Sequence, residues 1–238
     1  MISKLTKPKI MYPFRLAKKK TVTKIMKYQK NKKIKYSLIS SVVPDVYKII
    51  KKNLNKNKIK VFEFKEKKIK KNIMINVTKK HQVGSDRIVN AIGSLNYYKK
   101  NCIIIDFGTT TTFDIALLKN IYLGGIIAPG ISLSLRCLSE FTAKLPLINI
   151  FYQKNVIGKD TKSAINSGVY IGYSCLINGM IKKIIKQTKK KYLIVLTGGY
   201  SKLFKKKINY KTVVNKNITL HGLAMTAKEN KIIFDEVR

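Results

Sequence analysis

Short apolar segments alternate with segments of helical periodicity along the chain, beginning near residue 36. Four apolar segments have the length and the β-branched content of buried strands: residues 36–44, 59–64, 103–106 and 191–196. Helical spacing occurs in residues 45–54 and again in SDRIVNAIGSLNYY (85–98), where Ser85 is expected to cap the helix. Residues 65–82 are polar and are predicted to form a loop with one extended piece. Because strands alternate with helices, the pattern predicts an α/β fold.

The second half of the chain continues this alternation with more glycine. A return strand is expected at residues 113–118, and residues 120–130 indicate a strand that is broken by a Gly-Gly pair and leads into a helix at 131–141. A longer helix is predicted over residues 163–185. Small residues recur along it three or four positions apart: Ala164, Gly168, Gly172, Cys175 and Gly179. One face of this helix is therefore nearly bare backbone, which lets another helix approach closely, either within the fold or across a dimer.

The chain is strongly basic, with 50 Lys and Arg residues against 11 Asp and Glu and a formal net charge of +39. Such a charge is typical of proteins that bind nucleic acid or anionic membranes. However, only four of the basic residues are Arg, whose planar guanidinium suits phosphates and bases better than Lys does. Abundant Lys, Ile and Asn, together with the absence of Trp, indicate compositional drift towards A+T codons. We therefore favour drift over a specific nucleic-acid surface.

The central part of the chain is not enriched in lysine. Residues 81–180 hold nine Lys and Arg and five Asp and Glu, so their net charge is only +4. The other 138 residues carry +35. This contrast indicates that the centre contains the buried core and the chemistry.

Nothing in the sequence indicates export or insertion into a membrane. Met1 is not followed by an apolar signal segment. The longest uncharged segment, residues 163–181, contains three Gly, three Ser and two Asn, which disfavour a membrane span. The three cysteines lie in apolar contexts without CxxC spacing, which favours buried thiols over disulfides or a zinc site. The sequence predicts a cytoplasmic protein without membrane contact.

Four polar or Gly-rich turns are candidates for chemistry: VGSDR (83–87), DFGTTTT (106–112), IGKDT (157–161) and TGG (197–199). Each lies at an end of a predicted element, where backbone N–H groups and Thr hydroxyls bind phosphate oxygens well. A DFG tripeptide occurs in protein kinases, but neither an HRD-type loop nor an upstream Gly-rich loop accompanies it here. A G-x-x-x-x-G-K-[ST] loop is also absent, which excludes a P-loop enzyme.

The order of these turns resembles a known superfamily. A strand, Asp-x-Gly-Thr, a second strand and a later Gly-Gly turn are similar to the actin/hexokinase/Hsp70 group of ATP-binding folds. Within that group, VGSDRIVNAIG (83–93) is similar to the V-G-A-D-R-x-x-N-A signature of type III pantothenate kinases, and IIIDFGTTTTFDI (103–115) resembles their D-F-G-T-A-T-T segment. Further segments match in the same order: YLGGIIAPG (122–130), AKLP (143–146) and LTGGYSKLF (196–204). The resemblance extends from about residue 36 to the end.

The resemblance implies a fold and a reaction. The fold is α/β, with two ribonuclease H-like (actin-like ATPase) subdomains of mixed sheets and flanking helices, here residues 1–101 and 102–238. The reaction is ATP-dependent phosphorylation of pantothenate to 4′-phosphopantothenate, the first step of coenzyme A synthesis. ATP, Mg²⁺ and a monovalent cation (K⁺ or ammonium) are implied as cofactors. A homodimer is implied as the assembly, with no specific nucleic acid as a partner.

The family signature implies the roles of the residues that surround pantothenate. It makes Asp86 the general base that receives the hydroxyl proton. The alternative for Asp86 is a structural carboxylate, which the helix dipole favours at a helix N-terminus. Gly84, Ser85 (Ala in the family) and Arg87 are implied pantothenate contacts, with Arg87 as the partner of an anionic group. Thr161 is implied as a further substrate contact, either within the chain or from the other subunit of a dimer.

The same resemblance implies the residues that bind ATP and a cation. Asp106 matches the position that binds the monovalent cation, although a lone carboxylate at a strand end is also commonly structural. Thr109 matches an ATP contact, and Gly198 and Gly199 would let the backbone approach the adenosine. Two further carboxylates receive no catalytic role: Asp114 on the return strand, and Asp160 as a loop or cap residue.

The chain departs from the family pattern in two places. Residues 1–35 contain no Asp, Glu or Gly, so the N-terminal D-x-G-N-T phosphate loop and its strand are predicted to be missing. Loss of that phosphate clamp is expected to lower the rate by about 10²- to 10³-fold or more. In addition, a family Tyr that contacts substrate aligns with Val77, and a Pro of the same loop aligns with Lys80. These departures leave an alternative open: a catalytically impaired relative with a regulatory or nucleic-acid-binding role, like the Bvg accessory factors.

Overall fold

The computed structural model of the protein describes residues 35–230. Within this range the strands are β1 (Tyr36–Ile39), β2 (Lys60–Glu63), β3 (Met74–Ile75), β4 (Cys102–Phe107), β5 (Thr110–Leu117), β6 (Ile121–Pro129), β7 (Leu193–Gly198) and β8 (Thr212–Val214). The α-helices are α1 (Pro44–Lys56), α2 (Ser85–Tyr98), α3 (Ile131–Glu140), α4 (Thr161–Thr188), α5 (Ser201–Lys205) and α6 (Ile218–Glu229). The predicted loss of the first phosphate loop concerns residues outside the described range.

The described residues form two compact units. The first unit comprises residues 35–74, 78–97 and 218–230, and the second comprises residues 75–77 and 98–217. The chain thus returns to the first unit with α6, after the second unit has been completed. The division that we place between residues 101 and 102 stays a prediction.

In the first unit, β1 and β2 pair in parallel, as a β–α–β segment with α1 between them requires. The apolar side chains of this segment form a small core: Ile39, Leu54, Ile59 and Val61. The predicted strand at 59–64 and the predicted helix at 45–54 are therefore confirmed as elements.

Helices α2 and α6 of the first unit meet backbone to backbone. A Cβ atom on Gly222 would lie 2.0 Å from the carbonyl oxygen of Val89, and a Cβ on Gly93 would overlap the backbone of α6. Beside this contact, the buried Asn90 accepts a hydrogen bond from the hydroxyl of Thr219 at 2.6 Å. Two close glycine contacts and this hydrogen bond therefore help to hold α2, whose beginning carries the VGSDR motif.

The second unit is built on a six-stranded mixed sheet in the order β3-β6-β5-β4-β7-β8. β4 pairs antiparallel with β5 and parallel with β7, so Asp106 lies opposite Thr112 on one side and Thr197 on the other. One face of the sheet packs against α3, α4 and α5 in an apolar core, to which β4 contributes Ile103 and Ile105. The carboxyl ends of β4 and β7 therefore lie side by side.

Strand β6 differs from its prediction. The Gly-Gly pair at 124 and 125 does not break it, since the strand continues from Ile121 to Pro129. Its pairing with β5 shifts register between Ile115 and Ala116, and Gly124, which lies opposite Ile115, has a φ of +126°. The glycine thus supplies the left-handed conformation that this irregularity requires.

One other sequence-based expectation needs correction. Cys102 is buried as predicted, but Cys137 and Cys175 are exposed, so buried thiols were predicted wrongly for two of the three cysteines. The small-residue face of α4 is also exposed. No heavy atom in the described part of the chain lies within 4 Å of a Cβ placed on Gly168, Gly172 or Gly179.

Within residues 35–230, no helix is both long and apolar enough to cross a membrane.

Candidate active site

The turn between β4 and β5 is the centre of the candidate nucleotide site. It closes with a hydrogen bond from the Gly108 N–H to the Thr110 carbonyl at 3.0 Å, and Thr109 is exposed at its tip. From the adjacent strand, the Gly199 N–H donates to the Phe107 carbonyl at 3.1 Å. The structure therefore brings Thr109, Asp106 and the Gly-Gly turn to the same end of one sheet.

Gly198 is held in a conformation and a space that only glycine fits. Its φ is +83°, and a Cβ there would lie 2.5 Å from the Phe107 carbonyl oxygen and 2.6 Å from Asp106 Oδ1. Gly199 has no neighbouring heavy atom within 4 Å of its Cβ position. The requirement for glycine in this turn therefore falls on Gly198, and position 199 has space for a small side chain.

Gly130, which directly follows β6, also packs against the β4–β5 turn, although the sequence analysis gives it no role of its own. A Cβ on Gly130 would lie 2.0 Å from the Thr109 carbonyl oxygen. The hydroxyl of Ser134 donates to the Gly130 carbonyl at 3.1 Å, and the hydroxyl of Tyr173 donates to the Pro129 carbonyl. Helix α3 therefore begins directly against the turn. The Pro-Gly pair that precedes α3 was the available signal.

The VGSDR motif lies in the first unit, at the beginning of α2. The carbonyl of Gly84 accepts hydrogen bonds from the N–H groups of Arg87 and Ile88, at 3.2 and 3.4 Å. Asp86 is half-buried in the first turn, where its Oδ1 accepts from the Arg87 N–H at 2.9 Å. A Cβ on Gly84 would lie 2.5 Å from the same Oδ1. Glycine at this position thus leaves space for the Asp86 carboxylate.

Ser85 does not cap α2 as predicted. It is the first residue of the helix and is buried, while Gly84 occupies the position before it. The Ser85 hydroxyl accepts a hydrogen bond from Ser40 at 2.9 Å and lies 3.5 Å from the Ser41 carbonyl. Its side chain therefore connects the start of α2 to the segment that follows β1, instead of bonding its own helix.

The IGKDT turn begins α4. Asp160 is the N-cap of this helix and forms a capping box with Ser163, which confirms its interpretation as a cap residue. Hydrogen bonds from the backbone and the hydroxyl of Ser163 hold the pKa of Asp160 below its usual value. Thr161 is the first residue of the helix and is exposed.

The donor atoms near Asp106 suit a hard cation better than a transition metal. Within residues 35–230, no three His, Cys, Asp or Glu residues cluster to hold a metal ion. Asp106 instead has hydroxyl residues opposite it on both neighbouring strands, Thr112 and Thr197. Carboxylate and hydroxyl oxygens are the ligands that hard cations prefer. The residues present therefore fit the implied monovalent cation.

Comparison with known proteins identifies the family. Residues 14–183 match the family model of type III pantothenate kinase. A type III pantothenate kinase from Pelagibacter ubique (strain HTCC1062) is 46% identical over 195 residues, which cover 82% of this chain and 77% of that protein. One from Finegoldia magna (strain ATCC 29328 / DSM 20472 / WAL 2508) is 39% identical over 220 residues, covering 89% of this chain and 82% of the relative.

A solved structure supports the fold. The crystal structure of a conserved putative Baf family transcriptional activator from Campylobacter jejuni superposes with a TM-score of 0.60, covering 87% of this chain and 88% of that one. At 20% identity this likeness bears on the fold alone. The predicted α/β fold of the actin-like ATPase type, with a mixed sheet and flanking helices, is confirmed. The chain therefore belongs to the type III pantothenate kinase family, whose reaction is the one predicted from the sequence.

Proposed function

We propose that this chain, in the cytoplasm, transfers the γ-phosphoryl group of ATP to the hydroxyl of pantothenate, with Asp86 as the general base. The observation that carries the proposal is the construction of the β4–β5 turn. Gly130 and Gly198 approach this turn so closely that neither position has space for a methyl group. Such close backbone packing is typical of loops that bind phosphate through main-chain N–H groups.

Phosphoryl transfer needs an aligned acceptor, neutralisation of the phosphate charge and a group that takes the hydroxyl proton. The β4–β5 turn and the beginning of α3 supply N–H groups and the positive end of a helix dipole to the phosphates. Asp86 takes the proton from the acceptor hydroxyl. Gly84, Ser85 and Arg87 bind pantothenate, and Thr161 adds a contact to the acceptor.

The role of Asp86 is tested by Asp86→Asn, assayed for 4′-phosphopantothenate with ATP, Mg²⁺ and K⁺. A general base contributes about 10²- to 10⁴-fold, so the turnover number should fall by at least about a hundredfold. Asp45 is a matched control, because it also lies in the first turn of a helix, α1. Asp45→Asn should lose helix-dipole stabilisation alone and keep the turnover number.

Two outcomes would reject the assignment of Asp86. One is an Asp86→Asn enzyme with the turnover number of the wild type. The other is an equal loss of activity in both Asn variants, because that loss would follow from helix stability. Circular dichroism of the three proteins separates a loss of fold from a loss of chemistry.

We further propose that two cations assist the reaction. A monovalent cation, K⁺ or ammonium, binds at Asp106 with oxygen ligands from the neighbouring strands. Mg²⁺ arrives with ATP and is held mainly by its phosphates, as is common where a protein lacks an all-protein cage for this ion. Bound cations reduce the negative charge that the γ-phosphoryl group carries during transfer.

We also propose a homodimer that forms through the small-residue face of α4, defined by Ala164, Gly168, Gly172, Cys175 and Gly179. All five residues are exposed in a 28-residue helix. Apolar side chains are exposed just before this helix at Val156 and Ile157, and the Val156 carbonyl accepts from the Ser167 hydroxyl beside Gly168. A second copy of α4 would cover this apolar surface at short helix–helix distance.

The dimer is tested by Gly172→Glu in analytical ultracentrifugation. The variant should be monomeric at concentrations where the wild type is dimeric, because a charged side chain would be buried in the interface. Gln187→Glu on the same helix is the matched control, since it is exposed outside the small-residue face. A dimeric Gly172→Glu protein, or a monomeric wild type, would contradict the proposed interface. Helicity should not fall, because Glu is a better helix former than Gly.

A further inference from the structure

Asp114 is a fully buried carboxylate that no step of the proposed reaction uses. It lies in the middle of β5, where its Oδ1 accepts a hydrogen bond from the Tyr122 hydroxyl at 2.8 Å and its Oδ2 accepts one from the Thr112 hydroxyl at 3.2 Å. Burying a carboxylate is unfavourable, and a neutral side chain would also join β5 to β6. The choice of an acid at this position therefore points to a requirement beyond packing.

The sheet register connects Asp114 to the candidate cation site. Asp106 on β4 lies directly opposite Thr112 on β5, and Asp114 follows Thr112 by two residues. Directly opposed residues share a face of the sheet, as do residues two apart in one strand. Asp106, Thr112 and Asp114 therefore lie on one face. The side chains become more exposed towards the β4–β5 turn. Asp114 is buried, Thr112 and Asp106 are half-buried, and Thr109 in the turn itself is exposed.

The chemistry of the carboxylate determines which way the Thr112 hydroxyl points. An ionised carboxylate only accepts hydrogen bonds, so the Thr112 proton is directed to Asp114. The lone pairs of Thr112 Oγ1 are then directed away from Asp114 and are available to a cation. An amide in place of Asp114 presents an N–H donor as well, which would engage these lone pairs.

We propose that Asp114 is a positioning residue for the reaction: it orients the Thr112 hydroxyl so that Thr112 Oγ1 is an oxygen ligand of the monovalent cation at Asp106. This inference rests on the cation site proposed above. It assigns a role to the acidic residue of the return strand. It also makes Thr112, and not Asp106 alone, a determinant of how tightly the cation binds.

The test measures cation binding separately from catalysis. The melting temperature of the protein with Mg²⁺ and a non-hydrolysable ATP analogue is measured by calorimetry as KCl replaces choline chloride at constant ionic strength. Binding to the folded state raises the melting temperature, so the titration gives the K⁺ concentration at half-maximal effect. Asp114→Asn and Thr112→Val should each raise that concentration by about five- to tenfold. The double variant should show no larger shift than either single variant, because both remove the same ligand.

Two controls separate positioning from a structural role. Tyr122→Phe removes the hydrogen bond from the Tyr122 hydroxyl to Asp114, so it should lower the melting temperature without K⁺ and keep the wild-type K⁺ response. Thr112→Ser retains the hydroxyl and should keep that response as well. A wild-type K⁺ response in a folded Asp114→Asn protein would overturn the proposal, as would additive shifts in the double variant.

The remaining outcomes are also decisive. If Asp114→Asn does not fold, equal K⁺ responses of Thr112→Val and Thr112→Ser would overturn the proposal, and a weaker response in the valine variant alone would support it. A wild type that phosphorylates pantothenate without any K⁺ response would reject the cation site and this inference together. The kinase assignment would survive that result.

Discussion

The substitution Gly130→Ala tests whether close packing against the β4–β5 turn positions ATP. The backbone of Gly130 has φ −80° and ψ 155°, which alanine adopts without strain. The added Cβ, however, would lie 2.0 Å from the Thr109 carbonyl oxygen. Ordinary contact between such atoms is near 3.5 Å, so the turn and the start of α3 must separate by about 1.5 Å.

A displacement of this size should act on catalysis more than on folding. Misplacing bound groups by about 1 Å lowers rates by about a hundredfold, which corresponds to about 2.7 kcal/mol of barrier. The loss of stability should be about 1–3 kcal/mol, the usual effect of an added methyl group in a close contact. We therefore expect kcat/KM for ATP to fall by about a hundredfold in a coupled ADP-release assay with saturating pantothenate, while the melting temperature changes by a few degrees.

Gly199→Ala is the matched control for this prediction. It makes the same chemical change in the neighbouring Gly-Gly turn, where no heavy atom lies within 4 Å of the Cβ position and φ is not positive. Its melting temperature should stay close to that of the wild type, because no atom of the protein has to move. If Gly130→Ala kept wild-type kcat/KM, or if Gly199→Ala lowered the melting temperature as much as Gly130→Ala does, the reasoning from steric contact would be refuted.

Three further predictions follow from single contacts. Gly222→Ala places a methyl group 2.0 Å from the Val89 carbonyl oxygen and should lower the free energy of unfolding by about 1–3 kcal/mol. An unchanged midpoint of urea unfolding would contradict the α2–α6 contact. Burial raises the pKa of the Cys102 thiol to about 12. A thiol reagent at neutral pH should therefore label the two exposed cysteines quickly and Cys102 only after unfolding. Rapid labelling of all three cysteines would contradict the burial of Cys102. The lowered pKa of Asp160 means that its stabilisation is present above the unfolded pKa of about 3.9 and is lost as pH falls through the folded value. The difference in melting temperature between wild type and Asp160→Ala should therefore shrink from about pH 6 to about pH 3, and a constant difference would refute this linkage.

The sequence predicted those elements whose signals are local. Helix α2 has the predicted bounds, since its apolar positions recur at helical spacing and Gly84 interrupts the pattern before it. The prediction for β6 was wrong about the Gly-Gly pair, because whether glycine ends a strand or forms a bulge depends on the register of the neighbouring strand. The exposure of Cys137 and Cys175 was missed for a similar reason: an apolar neighbourhood in sequence does not determine which face of a helix meets the core.

In the candidate site, too, features within one segment could be predicted from the sequence, whereas contacts between distant segments could not. The motif around Asp106 could be recognised from the sequence, because each of its residues lies within one strand and one turn. Gly130 could not, since its importance arises from a contact with Thr109, which is 21 positions earlier in the chain. The Pro-Gly pair before α3 marks a turn in the sequence, but it does not show which backbone atoms this glycine meets.

The position of the proposed base, Asp86, also depends on a contact between distant segments, the one between α2 and α6. Asp86 lies in the first turn of α2, one turn before Asn90, which bonds Thr219 of α6. The position of the Asp86 carboxylate therefore depends on a helix more than a hundred residues later in the chain. Thr219→Val, which removes the bond to Asn90 at nearly constant volume, should lower both the free energy of unfolding and the turnover number, and an unchanged turnover number would contradict this dependence. If Asp86 is the base, the hydrogen bond between Thr219 and Asn90 links stability to catalysis, because the proposed base lies on the helix which that bond helps to hold in place.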